Sequence, residues 1–157
     1  MKPGIAFWSG VVLLFCLWGC TSTGTVSETV QEEKNSDQRL VDLGNGICQD
    51  TASGLMWLKK KGDVFNTWEN ATAYADQLEY GGYTDWRLPT KNELYSLQDI
   101  FFWKKNGGCL IDTAGSYWSG LTQKDAASGY WETYYLCSPE YKFVDTPGKG
   151  RVRAVRP

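Results

Sequence analysis

Apolar residues follow different rhythms in different parts of this chain. From Ile5 to Trp18 they are nearly continuous, broken only by Ser9 and Gly10. From Thr21 to Gln38 they almost vanish, and Ser, Thr, Glu and Gln dominate with two valines and no aromatic residue. From Arg39 onward short apolar runs alternate with glycine-rich turns, and two stretches carry helical spacing. This divides the chain into residues 1–19, 20–38 and 39–157. The last part has the length of one domain and shows no internal repeat.

Within 39–157 the pattern predicts specific elements. Arg39 to Leu43 alternates as a strand, Gly44-Asn45-Gly46 is a turn signal, and Ile47 to Asp50 is the hairpin partner. Thr51 to Gly54 turns again, and Leu55 to Leu58 is a short buried run. Lys59 to Phe65 reads as a loop. Asn66 and Glu69 have capping-box spacing, with Thr67 as the competing cap. Trp68, Ala71, Ala75 and Leu78 then fall on one helical stripe, and Gly81-Gly82 is the expected stop.

Trp86-Arg87-Leu88-Pro89-Thr90 is expected to be extended, because Pro89 disfavours the helical region at Leu88. Thr90 and Glu93 form a capping box for a second helix, with Leu94, Leu97 and Ile100 or Phe101 buried. Gly107-Gly108 is a break. Tyr117-Trp118-Ser119 and Tyr130 to Cys137 suit strands, Pro139 and Pro147-Gly148 mark turns, and Arg151 to Arg156 is a final short strand. Two early helices packed on short antiparallel strands give an α+β class.

Composition narrows the chemistry. The chain has no histidine, which removes the commonest general base and metal ligand and the usual partner of a catalytic Ser or Cys. No carboxylate pair stands out as a hydrolase signature, so a non-catalytic domain without cofactor is expected. Acidic and basic residues balance within 39–157, so the net charge of −2 comes from the preceding segment. A neutral domain argues against nucleic acid, which needs a basic face. Local basic clusters stand at Lys59-Lys60-Lys61 and at Lys149, Arg151, Arg153 and Arg156.

The amino-terminal pattern carries a targeting signal. One positive charge, Lys2, precedes an apolar run shorter than the roughly 20 residues a spanning helix needs. That is the signal-peptide pattern. The run ends in Leu17-Trp18-Gly19-Cys20, which resembles the lipobox of bacterial lipoproteins, although Trp18 is bulkier than is usual there. The resemblance implies cleavage before Cys20 and acylation of that residue. Multiple acyl chains, at roughly 0.8 kcal/mol per buried methylene, would hold the protein at a bilayer. Thr21 rather than Asp after the cysteine points to the outer membrane, facing either periplasm or exterior. The polar segment 20–38 cannot bury enough apolar surface to offset its ordering entropy and reads as a disordered tether spanning roughly 25 Å.

With Cys16 removed and Cys20 lipidated, Cys48, Cys109 and Cys137 remain. In an exported protein they are disulfide candidates, but three cannot all pair within one chain. Cys109 with Cys137 is the first assignment, and Cys48 with Cys109 the alternative. No two have zinc-ligand spacing, so no metal site is expected.

The order G-L-M-W (54–57), helix, G-G-Y-T-D-W-R-L-P-T-x-x-E-L (81–94), Y-W-S-G (117–120) and V-R-A-V-R (152–156) resembles the Lcl carboxy-terminal domain family of bacterial envelope proteins. The W-R-L-P-T-x-x-E-L core is the specific part, with Trp86, Arg87, Leu88, Pro89, Thr90 and Glu93 as its structural residues. The resemblance implies a C-type-lectin-like fold, shared with formylglycine-generating enzymes, in which the first and last strands come together. It also implies binding of sulfated polysaccharides, the ligand of the family's namesake adhesin domain. Three features depart from relatives. Cysteines that many members carry in the first helix and last strand are here Ala75 and Ala154. The catalytic cysteine pair of formylglycine-generating enzymes has no counterpart. The calcium and sugar tripeptides of C-type lectins, such as E-P-N and W-N-D, are absent.

Ordinary structural roles account for several prominent residues. Glu93 caps its helix and Arg87 pairs beneath it, while Trp57, Trp68 and Trp86 sit on or beside core stripes. The strand from Tyr130 sends Tyr130, Glu132, Tyr134 and Leu136 to one face and Trp131, Thr133, Tyr135 and Cys137 to the other. One face must expose aromatics, a common platform for sugar rings or protein partners. The candidate ligand-binding residues are therefore Trp118, Tyr130, Trp131, Tyr134, Arg151 and Arg153. The expected protein is a membrane-anchored envelope lipoprotein that binds an extracytoplasmic glycan. The competing reading is an assembly lipoprotein that binds another envelope protein.

Overall fold

A computed structural model describes residues 37–135 and 139–157. These belong to the unit Lys34–Pro157, one of two into which contacts divide the chain. The expected signal peptide, lipidated Cys20 and most of the tether lie outside the described residues, as do Leu136 and Cys137. Among the described residues no helix is long and apolar enough to cross a membrane.

The elements run β1 (Leu40–Asp42), β2 (Ile47–Asp50), β3 (Met56–Leu58), β4 (Val64–Phe65), α1 (Trp68–Asp76), α2 (Lys91–Phe102), β5 (Tyr117–Ser119), β6 (Ala127–Tyr135), β7 (Pro139–Asp145), β8 (Gly150–Arg151) and β9 (Val155–Arg156). The class is α+β. One sheet has the order β1-β2-β3-β9, and the other β4-β8-β5-β6-β7. All pairings are antiparallel except that of β5 with β8.

The β1–β2 hairpin forms where the turn signal stands. Gly44, Asn45 and Gly46 all take positive φ, at 76°, 38° and 81°, a conformation open to Gly and tolerated by Asn. Asp42 accepts the Gly44 N–H at 2.9 Å across that turn. In the next turn Asp50 accepts from Ala52 N–H at 3.0 Å, from the Ser53 hydroxyl at 2.7 Å and from Arg39 Nε at 3.1 Å. Burial alone would raise the Asp50 pKa, but the hydrogen bonds from Arg39, Ser53 and Ala52 outweigh it and hold the carboxyl below its ordinary value.

Thr67, not Asn66, caps α1 by accepting the Asn70 N–H. The helix ends at Asp76, before Leu78, and Gly81-Gly82 instead form the turn of a small bridge between Tyr80 and Tyr83. Ala71 and Ala75 give α1 its buried face. The second helix starts as its sequence requires: the Thr90 hydroxyl accepts the Glu93 N–H at 3.1 Å, and Glu93 accepts the Thr90 N–H at 2.7 Å. Leu94, Leu97 and Ile100 are its buried stripe, with Phe101 half-buried.

The core has two clusters. One joins Leu40, Cys48 and Trp57 of the first sheet to Leu94, Leu97 and Ile100 of α2 and Tyr117 of β5. The other gathers Ile47, Leu58, Trp86, Leu88, Trp118 and Val152 against the alanines of α1. Ala75 and Ala154 share this second cluster, both almost fully buried. Each fully buried aliphatic side chain contributes about 1.5–3 kcal/mol relative to exposure. Trp57 and Trp86 are buried as expected, whereas Trp68 is half-buried and donates its indole N–H to the Gly120 carbonyl at 3.1 Å.

Several expectations are corrected. Cys109 is bonded to Cys48, so the assignment of Cys109 to Cys137 is wrong; the bond ties β2 to the segment after α2. The first and last strands share a sheet but are not paired, because β9 lies against β3 and β1 occupies the opposite edge. The stretch Arg151 to Arg156 is not one strand: β8 belongs to one sheet and β9 to the other. Pro139 opens β7 opposite Tyr135 at a sheet edge, where the missing N–H of proline costs no ladder bond. Val64–Phe65, expected as loop, pairs with β8.

Candidate functional site

At its β6–β7 edge the five-stranded sheet has one face packed on α2 and one more open, and strand alternation decides which residues reach each. Further in, at β5, the second face is covered as well, because Trp118, opposite Ser128, is buried. On the packed face Trp131 meets Tyr95 edge-on at 5.0 Å and Phe143 at 5.1 Å between ring centroids. Tyr95 and Phe102 of α2 close on Tyr141 at 5.2 and 5.4 Å. The Lys91 ammonium lies 3.7 Å from the Phe143 ring centre, a cation–π contact at the foot of the helix. Trp131 therefore faces α2 rather than solvent.

The other face of β6 carries Ser128, Tyr130, Glu132 and Tyr134. Tyr130 donates to one carboxylate oxygen of Glu132 at 2.9 Å, and Tyr134 donates to the other. Hydrogen bonds from Tyr134 and Tyr130 lower the Glu132 pKa, and the same carboxylate raises those of both phenols. Lys142 of β7 stands directly across from Glu132 in the register. Tyr134 is 41% exposed. The result is a tyrosine–carboxylate–tyrosine row along an accessible strand.

This row begins beside a shallow groove of about 330 Å³ lined by Val64, Ser116, Thr146, Lys149, Gly150 and Arg151. Ser128 connects them, donating its hydroxyl to the Thr146 carbonyl at 2.6 Å. Pro147-Gly148 turns the chain so that Lys149 N–H returns to the Thr146 carbonyl at 3.3 Å. Arg151 N–H then bonds the Ser116 carbonyl at 2.9 Å, which seats β8 beside β5. Gly150 suits a close approach: an added Cβ would lie 3.0 Å from both Trp118 N and Cδ1, tight enough that the neighbouring strand would have to give by a few tenths of an ångström. Arg151 is half-buried and reaches the Gly62 carbonyl at 3.4 Å. Among the described residues neither Lys149 nor Arg151 has a carboxylate partner, unlike Lys59 with Asp42, Lys61 with Asp112 and Arg156 with Asp85.

The six candidate ligand residues do not form one site, although Tyr130, Trp131 and Arg153 line a common crevice between α2, β5 and β6. Tyr130 and Tyr134 lie on the open row, and Arg151 lines the groove. Trp131 is on the packed face. Trp118 is 7% exposed and donates its indole N–H to the Phe65 carbonyl at 3.0 Å, which removes it from a surface platform. Arg153 is only 1% exposed, so it is not part of a basic surface patch. Ser116 and Thr146 of the groove were not singled out in the sequence. The Pro147-Gly148 turn signal could have placed Thr146 beside Lys149, but nothing local announces the approach of Ser116.

The W-R-L-P-T-x-x-E segment is structural. Arg87 and Val155 exchange backbone hydrogen bonds at 2.9 and 3.0 Å, pinning the segment to the last strand. The Arg87 guanidinium meets both oxygens of Glu93 at 2.8 and 2.9 Å. Burial opposes ionisation of Glu93, but Arg87 and the Thr90 N–H overcome it and keep its pKa low. Among the described residues no group of three or more His, Cys, Asp or Glu side chains is placed to hold a metal.

The Lcl C-terminal domain family matches residues 46–156, nearly the whole described domain. The chain belongs to the Lcl C-terminal domain family. In this Lcl domain the family match takes in β2 to β9, both helices, the groove and the tyrosine row, while β1, the edge strand of the first sheet, lies just ahead of it. No curated protein and no solved structure matches the chain.

Proposed function

We propose that this chain is a non-catalytic lipoprotein of the cell envelope, anchored through an acylated Cys20, whose C-type-lectin-like Lcl domain binds an extracytoplasmic polysaccharide. The observation that carries this reading is the groove at Lys149 and Arg151. Lys149 and Arg151, which have no carboxylate partner among the described residues, line it beside Ser116 and Thr146, whose hydroxyl donates to the Lys149 carbonyl at 3.3 Å, a set suited to sulfate or carboxylate groups and sugar hydroxyls together. The adjoining Tyr130 and Tyr134 rings offer amphipathic surface for sugar faces, with Glu132 accepting hydroxyl hydrogen bonds between them. Buried Asp50 and half-buried Glu93 are committed to structural partners, which favours binding over catalysis.

The test is binding of the full chain to a sulfated polysaccharide such as heparin, alongside a neutral glucan. Lys149→Ala with Arg151→Ala is expected to weaken heparin binding at least about tenfold, roughly 1.4 kcal/mol. Raising the salt should weaken the unaltered protein in the same direction. Heparin binding unchanged by the double substitution, or none at all, would refute the groove. Mass spectrometry of the native amino terminus tests the anchor, which fails if Cys20 carries no lipid.

A second reading, an assembly role with an envelope protein, is favoured by exposed apolar residues after α2: Leu110 is 81% and Trp103 51% exposed. Crosslinking in membranes that yields one stoichiometric protein partner, with no glycan binding, would favour it.

A further inference from the structure

Strand β7 is the outermost strand of its sheet, with β6 on one side and no strand on the other among the described residues. Every second residue of such a strand turns its backbone N–H and C=O outward. One bond fixes which residues do so here. The Thr146 N–H reaches the Ser128 carbonyl at 2.8 Å, and these two residues continue the β6–β7 register. Ser128 and Thr146 are thus a hydrogen-bonded pair, and such pairs alternate along an antiparallel ladder. Val144, Lys142 and Glu140 therefore bond inward to Tyr130, Glu132 and Tyr134. The peptide groups of Pro139, Tyr141, Phe143 and Asp145 face the edge.

The charges on this strand are complementary to a second copy of it. A two-fold, antiparallel pairing of two β7 strands must bond through the edge-facing residues. With Tyr141 on the two-fold axis, Glu140 of each copy stands directly opposite Lys142 of the other. Both are exposed, and Glu140 has no salt bridge among the described residues. These are the non-hydrogen-bonded positions of the new ladder, where facing side chains approach most closely. Moving the axis one residue either way sets Lys142 against Lys142 or Glu140 against Glu140, and like charges directly opposite are unfavourable. Centred on Tyr141, Lys142 instead lies between Glu132 of its own β6 and Glu140 of the second copy. Exposed rings flank the same strand on its other face. Tyr95, 39% exposed, meets Tyr141 at 5.2 Å, and Trp103, 51% exposed, packs on Phe102, which meets Tyr141 at 5.4 Å.

We propose that β7 is a dimerisation edge, at which a second copy of this chain adds antiparallel about Tyr141 and joins the two five-stranded sheets into one. The Phe143 N–H of each copy donates to the Pro139 carbonyl of the other. Proline returns no N–H, so the ladder loses one bond at each end. A two-fold axis normal to the sheet keeps like faces together, so both Tyr130–Glu132–Tyr134 rows lie on one side. The contact is essentially one strand wide, the scale of a weak, reversible dimer. It stands whether or not the groove binds a polysaccharide.

Sedimentation equilibrium of the full chain in excess non-ionic detergent tests this. A monomer–dimer equilibrium with a Kd on the order of 10–100 µM is expected. Glu140→Lys turns both attractive pairs repulsive and should raise that Kd about tenfold, at an unchanged unfolding midpoint. Glu140→Lys with Lys142→Glu restores opposite charges across the axis and should recover most of the loss, short of the full value because Glu132 then faces a like charge. Amide hydrogen exchange of the unaltered protein gives an independent reading. Exchange of the Phe143 N–H should slow as concentration rises, while that of Val144, bonded to β6, should not change. A chain that stays monomeric up to about 1 mM overturns the proposal. So does a dimer indifferent to Glu140→Lys, or one whose Phe143 exchange is independent of concentration. A dimer abolished by Leu110→Ser but not by Glu140→Lys places the contact after α2 and overturns it as well.

Discussion

Breaking the Cys48–Cys109 bond is the perturbation with the largest calculable consequence. The bond closes a sequence separation of 61 residues. In the chain-entropy account such a loop restrains the unfolded chain by about 4 kcal/mol. Small domains hold only about 5–15 kcal/mol in total. Both sulfurs lie in the main core cluster with no exposure, where a pair of thiols is tolerated as small apolar groups. Cys48→Ala with Cys109→Ala is therefore expected to lower the unfolding free energy by about 3–4 kcal/mol, read from urea denaturation with the slope fitted for each protein, since the uncrosslinked chain exposes more surface on unfolding. Reductant should produce a similar shift in the unaltered protein and none in the double variant. Stability alone does not identify the pairing, since a Cys109–Cys137 loop would give a value only about 0.7 kcal/mol lower. Peptide mapping under non-reducing conditions does. A Cys109–Cys137 crosslink, or a loss below about 1 kcal/mol in the double variant, would refute the argument.

The capping box at α2 gives a smaller, cleaner effect: Thr90→Ala removes one acceptor and is expected to cost about 1 kcal/mol by chemical denaturation. An unchanged midpoint would mean that the cap is idle. Glu93 and Asp50 both have lowered pKa values, so their contribution is complete above the ordinary carboxylate range and is lost as pH falls through the lowered values. Stability should therefore decline below about pH 4, and Glu93→Gln should be less stable at neutral pH yet lose less on acidification. A Glu93→Gln protein that follows the parent's acid profile in parallel would contradict this. Arg153→Met strands the Leu58 and Lys59 carbonyls, while the Asp112 carbonyl keeps its hydrogen bond from the Tyr117 hydroxyl, and is expected to cost about 3 kcal/mol in thermal or urea unfolding. Near-wild-type stability would show that those bonds contribute little.

Local chemistry made much of this fold readable from the chain. Gly44-Asn45-Gly46 dictates its hairpin because few residues accept those dihedrals, and Thr90 with Glu93 dictates a helix start because each side chain satisfies a backbone N–H of the other. The alternation along β6 likewise separated Tyr130 and Tyr134 from Trp131 before any contact was known. The order of motifs that resembles the Lcl family needed only the sequence, and the family match bears it out.

What tertiary structure alone decided are choices between partners that sequence leaves equivalent. Cys48 and Cys137 are equally good thiols for Cys109, and the packing of β2 against α2 selects Cys48. Arg151 and Arg153 are two residues apart with the same charge. Yet the chain passes from one sheet to the other between β8 and β9, so Arg151 lines an open groove while Arg153 is enclosed among carbonyls. Periodicity fixes which side of its own strand a residue occupies. Which neighbour covers that side depends on contacts far apart in sequence, such as Arg87 with Val155 or Val64 with Arg151, and no local rule encodes them.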